Sequence, residues 1–236
     1  SMPDLAPVYD AATGVATWNF DSGVADQYAI PAGDTLRLVY QTRTDAGLAP
    51  AMTLTNQAQV QLYYSFDDDA VPTAGGAVGV REIYGPTNTD SVTFTTDGAA
   101  GLDKTSSATT AAIGQPFTYR ITVPTAPQTT ALHDVRILDD LGAVAASLSV
   151  VRVAKVSGSG SWTPVNTGTA TNLVIEDTNT GIDIPAGEQI EIDITVRLAD
   201  TQPAVSPPPA PNNTGALFSN TAAYTYNQVN DDAGSR

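Results

Sequence analysis

Short runs of alternating apolar and polar residues recur along the whole chain, separated by turn-forming residues. In residues 216–227, ALFSNTAAYTYN, strict alternation places the aromatic residues on one face of a strand, and Asn220 falls in that aromatic row. Thr, Val, Ala, Gly and Pro are abundant, and no stretch shows the 3.6-residue apolar period of a helix. The pattern predicts an all-β protein.

An asparagine in an apolar row occurs twice. In the run TLTNQAQVQLYY, alternation places Asn56 on the same face as Leu54, Val60 and Leu62, as it places Asn220 beside aromatic residues. A buried amide is costly unless another group satisfies it. The repeated placement predicts that the inward asparagine is a property of a repeated module.

The sequence contains an internal repeat. AIPAGDTLRLVYQTRTDA matches DIPAGEQIEIDITVRLAD, with Ile30 and Ile184 154 positions apart, while Asn56 and Asn220 are 164 apart. The Pro-rich run TQPAVSPPPAPNN absorbs the difference, and DGAAG at residues 97–101 is typical of a boundary. We therefore expect residues 1–97 to be the closing part of one repeat and residues 98–236 to be a second repeat.

Composition excludes several classes of function. The net charge of −15 disfavours binding to nucleic acid or to anionic membrane surfaces, and no apolar run is long enough to span a membrane. Cysteine is absent and His133 is the sole histidine, which excludes disulfides, thiolate sites and multi-histidine zinc sites. With no GxSxG motif, phosphate loop or paired-carboxylate signature, the chain is not expected to be an enzyme.

Three polar residues of different types occupy apolar rows on three predicted strands. They are Lys104, Asp139 and Asn220. Lysine is scarce in this chain, since Lys155 is the only other one, so Lys104 is a notable residue to find on a core face.

The order of the motifs LDKTSS, IGQPFTYRITV, HDVRILDDL, IPAGEQIEIDITV and LFSNTAAYTY resembles the repeat domains of very large bacterial surface proteins. It is also similar to the isopeptide-forming domains of fimbrial and adhesin subunits. The likeness covers most of residues 99–230, and the earlier segment resembles the closing half of such a repeat. The resemblance implies tandem immunoglobulin-like β-sandwich modules on the bacterial cell surface, hence an extracellular location.

The resemblance also implies a chemistry. In isopeptide-forming domains a lysine of the first strand is joined to an asparagine of the last strand with the help of a carboxylic acid. Lys104, Asn220 and Asp139 match these three positions. Burial would lower the lysine pKa and raise the carboxyl pKa, so that a neutral amine attacks the amide carbonyl and ammonia leaves.

Ordinary structural roles for the same residues stay open at this point. Asp139 is also placed to cap the turn that follows it, Lys104 to extend to solvent, and Asn220 to bond a neighbouring backbone group. A one-residue bulge would turn any of the three side chains outward. The rival acids are Asp140, Asp134 and Glu176.

Two acidic turns are candidate calcium sites. Asp67, Asp68 and Asp69 lie in one turn, and Asp231 and Asp232 recur at the matching place in the second repeat. Carboxylates on a flexible loop suit calcium, although the spacing does not match an EF-hand, and a solvated acidic turn is the alternative. No other cofactor is expected.

The leading functional hypothesis is a structural stalk segment of a bacterial surface adhesin or fibre, with neighbouring repeats of the same chain as its partners. The alternative is a binding module that recognises a surface glycan or protein through loops such as SGSGSWTP or the Pro-rich run. Repetition of the module favours the stalk, because a binding head would more often be unique.

Overall fold

The structure is a computed structural model that describes residues 5–20, 28–45, 47–64, 83–143, 147–178, 180–200 and 218–230. Its regular elements are β-strands, apart from a 3-10 turn at Leu141–Ala143, so the prediction of an all-β chain is confirmed. None of the helical structure in these residues is long and apolar enough to cross a membrane. The chain divides into a first unit, residues 1–42 and 55–93, and a second unit, residues 43–54 and 94–236.

The first six strands form three separate antiparallel pairs. Strand β1 forms a hairpin with β2, β3 pairs with β6, and β4 pairs with β5. Because each is only a two-stranded ribbon, little apolar surface is covered by the pairing itself. The strands are β1 (Val8–Asp10), β2 (Val15–Thr17), β3 (Thr53–Ala58), β4 (Tyr63–Tyr64), β5 (Ile83–Tyr84) and β6 (Asp90–Thr95).

The other nine strands build two larger antiparallel sheets in the second unit. One sheet has the order β10-β14-β8-β7. In the other, β9 pairs with β12 and β13 along one edge and with β15 along the opposite edge, and β11 lies outside β12. The strands are β7 (Asp103–Ser106), β8 (Pro116–Val123), β9 (Leu132–Asp140), β10 (Leu148–Ser157), β11 (Pro164–Asn166), β12 (Asn172–Asp177), β13 (Ile182–Ile184), β14 (Ile190–Leu198) and β15 (Ala222–Asn227).

One hydrophobic core lies between the two sheets of the second unit. Along β14 every second residue is buried, and the same alternation runs along β8, as the sequence pattern predicts. The core therefore receives one face of each sheet. Its fully buried members include Ile121, Leu132, Ile137, Leu173, Ile175, Ile182, Ile192 and Ile194.

The two IPAG segments of the internal repeat fold into the same turn. Gly33 and Gly187 have φ angles of 88° and 83°, a left-handed conformation that glycine adopts without steric cost. In each turn the amide of the next residue bonds back to the proline carbonyl, at 3.0 Å from Asp34 to Pro31 and at 3.1 Å in the second copy. The hairpin β1–β2 precedes the first turn as β11–β12 precedes the second.

The predicted burial of the Asn56 row is wrong for the first unit. Asn56 is exposed, and its amide nitrogen donates to the Tyr40 hydroxyl at 2.8 Å. Val60 and Leu62 in the same row are 52% and 49% exposed. The alternation is present in the sequence, but no opposing apolar sheet covers it within the described residues of this unit, so the row remains open to solvent.

Candidate cross-linking site

Lys104 and Asp139 meet inside the core of the second unit. Lys104 lies on β7, at the edge of the four-stranded sheet, and Asp139 lies on β9 in the facing sheet. The Lys104 Nζ lies 2.7 Å from Asp139 Oδ2, and the two side chains are 7% and 0% exposed. This ion pair therefore lies in the core and joins the two sheets, and it is not a surface salt bridge.

Aromatic rings surround the lysine side of the pair. The Lys104 Nζ lies 4.6 Å from the centre of the Tyr119 ring, a distance at which the ring face attracts a cation. Phe117 packs edge-on against Tyr119 at 5.2 Å, and Phe218 lies 6.5 Å from Phe117. Apolar rings exclude water, so charge interactions here are stronger than at the surface.

The surroundings perturb the ionisation of the lysine and the tyrosine. Burial lowers the pKa of Lys104, and the hydrogen bond and charge of Asp139 oppose that change. Burial raises the pKa of Tyr119 to about 12, with a further contribution from the Asp139 carboxylate. A lowered lysine pKa increases the fraction of Lys104 that is present as the neutral, nucleophilic amine at physiological pH.

Asn220 is placed by the register of β15. Ala222 is paired opposite Asp139, and Asn220 precedes it by two residues, so alternation puts Asn220 next along the same face. In a regular ladder such diagonal neighbours have Cβ atoms about 7 Å apart. Both polar atoms of the Asn220 side chain are buried and have no hydrogen-bond partner among the described residues. The same is true of Asp139 Oδ1.

The rival acids are engaged elsewhere. Asp140 Oδ1 accepts the Gly142 amide at 2.9 Å, so the turn after β9 is capped by Asp140 rather than by Asp139. Asp134 accepts from the Asn227 amide group at 2.7 Å. Glu176 accepts from Arg136 and from the Thr167 hydroxyl. Asp139 is the acid that contacts Lys104.

Tyr119 belongs to the site and was not singled out by sequence reasoning. Alternation in IGQPFTYRITV predicts that it faces the core, which the structure shows. Its position over the lysine depends on the register of β7 with β8, in which Lys104 is opposite Ile121 and Ser106 is opposite Tyr119. The alternation along a strand determines which face a residue lies on. It does not determine which residues of another strand lie opposite it, and that register is known only from the folded structure.

The five predicted calcium ligands lie outside the described residues; they are Asp67, Asp68, Asp69, Asp231 and Asp232. Within the ranges that are described, no group of three or more His, Asp or Glu side chains is arranged to hold a metal ion.

The SGSGSWTP loop borders an open cavity of about 370 Å³. Trp162 anchors this loop, since its indole nitrogen donates to the Ser159 carbonyl at 2.9 Å and Lys155 Nζ lies 4.4 Å from its ring. Trp162 also packs against the core, so it is a structural anchor of the loop. Ser, Thr and Asp side chains supply the polar lining, including Ser161, Asp177, Thr180 and Asp183.

Comparison with protein-family models and with curated protein sequences finds no match to this chain. The resemblance to surface-protein repeats therefore depends on the order of the chain's own motifs. The function is inferred from the geometry of the buried site.

Proposed function

We propose that the second unit is an immunoglobulin-like β-sandwich module of a bacterial cell-surface stalk, closed by an amide bond between Lys104 and Asn220. The observation that carries the proposal is a buried Lys104–Asp139 pair whose acid lies on the same core face as Asn220, an asparagine whose polar side-chain atoms have no hydrogen-bond partner. Burying an amide without a hydrogen-bond partner is unfavourable, so its presence in a core calls for an explanation. Reaction of the Asn220 amide with Lys104 supplies that explanation.

The reaction needs only the three side chains. A proton passes from Lys104 Nζ to Asp139 along their 2.7 Å hydrogen bond, leaving a neutral amine and a neutral acid. The amine attacks the Asn220 side-chain carbonyl carbon while the acid hydrogen-bonds to the carbonyl oxygen. As the C–N bond to the Asn220 amide nitrogen breaks, that nitrogen takes one proton from the attacking amine and the proton held by Asp139, so it leaves as ammonium (ammonia plus one proton) and Asp139 returns to the carboxylate.

The position of the bond suits a load-bearing element. Lys104 lies on the first strand of the module and Asn220 directly precedes the last, in opposite sheets. A bond between them would tie both sheets and would hold the two ends of the module against extension. The chain has no cysteine, so disulfides cannot supply this brace.

Intact-mass spectrometry of the denatured protein tests the proposal. We expect a mass lower than that of the sequence by one ammonia, and a full sequence mass for Lys104→Ala and for Asn220→Ala. Lys155→Ala is the matched control, because it removes the only other lysine and should keep the deficit. Peptide mapping should then place the cross-link between residues 104 and 220.

An unmodified mass in the wild-type chain would refute the cross-link. A deficit that survives Lys104→Ala would also refute it, since ammonia would then be lost elsewhere. Asp139→Ala should retain the full mass, because no acid would be left to accept the lysine proton.

A second candidate is a binding module that uses the cavity beside Trp162. Its hydroxyl and carboxylate lining suits a polar ligand such as a surface glycan, and the site is open to solvent. A glycan array tests this reading, with Asp177→Asn as the variant that should lose any signal. Absence of binding would leave the stalk as the better-supported function.

A further inference from the structure

Apolar residues of the first unit are exposed where their repeat partners in the second unit are buried. The difference is large although the sequences alternate in the same way and share the same turn. The matched pairs and their exposures are Ile30 and Ile184 (49% and 2%), Leu38 and Ile192 (41% and 0%), and Tyr40 and Ile194 (44% and 0%).

The second unit shows what covers this row when the module is complete. Strand β14 lies between β8 and β10, and its inward residues pack against the sheet of β9. Of these covering strands, β8, β9 and β10 come from residues 98–163, which we call the opening half of the module, and the residues that follow form its closing half. In the first unit residues 34–42, the counterpart of the start of β14, form no strand.

Charge distinguishes the two halves of the module. Residues 98–163 carry five basic and four acidic residues, whereas residues 1–97 carry three basic and twelve acidic ones. The remaining residues, 164–236, carry two basic and nine acidic ones. In the second unit, two basic residues of the opening half pair with acids of the closing half: Arg120 with Asp193 at 2.9 Å, and Arg136 with Glu176. An acidic closing half is thus matched by a more basic opening half.

We propose that the exposed row Ile30, Leu38, Tyr40, Val60 and Leu62, which we call the open face, is the docking site of an opening half-module. The occupant is the opening half of another module, a segment with alternating apolar strands like β7–β10 and a near-neutral charge. The second unit shows this interface complete, with the opening half preceding the closing half. A second copy of the chain is a poorer occupant, because its matching surface is equally acidic and its own opening half is already covered.

The test is a chain in which a copy of residues 98–163 is inserted ahead of Pro7, so that it precedes PVYD at residues 7–10 as the original precedes PVNT at residues 164–167. The inserted copy carries Lys104→Ala, so its docking is non-covalent and the outcome does not depend on the proposed cross-link. Hydrogen exchange read by mass spectrometry should show protection of residues 30–42 and 53–62 rising by about tenfold or more over the parent chain. Protection of β14 in the second unit verifies that each protein is folded.

A matched variant changes Ile121→Asp in the inserted copy only, placing a charge in the core face of its second strand. The open face should then exchange as fast as in the parent chain. Unchanged exchange of the open face in the chain with the intact insert, with β14 protected, would overturn the proposal. A parent chain that is dimeric with its open face protected would also overturn it, since a second copy would then be the occupant.

Discussion

Replacing Asn220 by leucine separates a cross-linked module from one held only by the Lys104–Asp139 pair. Leucine has the same branched heavy-atom skeleton as asparagine, with bulkier methyl groups in place of the amide atoms, and it leaves the ion pair untouched. Without a bond, the change removes a buried amide that makes no hydrogen bond, so the unit should gain about 1–3 kcal/mol of unfolding free energy. With the bond, the change opens the loop between residues 104 and 220.

Loss of the loop is the larger effect. Closing a loop of about 100 residues stabilises a fold by about 5 kcal/mol in the chain-entropy treatment, by restricting the unfolded chain. In the cross-linked protein the free Asn220 amide no longer exists, so Asn220→Leu brings no such gain and should cost about 5 kcal/mol of unfolding free energy. The sign of the change therefore distinguishes the two states.

Equilibrium unfolding in guanidinium, followed by Trp162 fluorescence in a Trp18→Phe background, measures the second unit alone. Asn56→Leu is the control, because Asn56 is exposed in the first unit and its replacement should leave this transition unchanged. The denaturant dependence should also steepen in Asn220→Leu, since an unlinked chain exposes more surface on unfolding. An Asn220→Leu protein as stable as its parent, or more stable, would refute the reasoning.

Three further predictions concern the second unit. Absorbance titration should show a tyrosine with a pKa of about 12 that disappears in Tyr119→Phe. Because folding raises this pKa above its ordinary value of 10.0, the protonated tyrosine stabilises the folded state below pH 10. That contribution is lost as the pH rises towards 12. Gly181→Ala should lower the melting temperature more than Gly187→Ala does. Both glycines have positive φ, but a Cβ at Gly181 would come within 2.5 Å of the β9 backbone, whereas a Cβ at Gly187 would meet open space. Ile192→Ala should cost about 2–5 kcal/mol in denaturant unfolding, whereas its repeat partner Leu38→Ala should cost less than about 1 kcal/mol, and equal costs would contradict the difference in burial.

Alternation along the chain was sufficient to predict strands and their inward faces in the second unit. Phe117, Tyr119 and the isoleucines of β14 face the core as the pattern indicates, because a period of two fixes the side of a strand on which a residue lies. The same pattern failed for the Asn56 row. Alternation shows which face is apolar, and burial additionally requires a second sheet to cover that face.

Turns were predictable for a different reason. The IPAG turn forms in both units with nearly the same glycine conformation, although one copy flanks a buried row and the other an exposed row. Proline and glycine restrict or permit backbone angles locally, so the turn does not need a core. Residues 34–42 lack a strand where β14 has one, because strands depend on hydrogen bonds to neighbours.

The contact between Lys104 and Asp139 could be proposed from the sequence only through a family likeness. Thirty-five positions separate the two residues, and their meeting depends on β7 and β9 lying in facing sheets. The placement of Tyr119 over the lysine depends on the register of a third strand. Neither relation is encoded in the period of a single strand.

The proposed reaction draws its groups from both halves of the module. Lys104 and Asp139 come from the opening half, and Asn220 lies in the closing half, just before β15. The amine is activated only where Phe117, Tyr119 and Phe218 exclude water, and that enclosure also needs both halves. The bond would therefore form after the two halves have packed, and a mass deficit would report on completed assembly as well as on chemistry. By the same logic Asn56, exposed to solvent and bonded to Tyr40, should stay unmodified in this chain, because no lysine and acid are enclosed with it among the described residues.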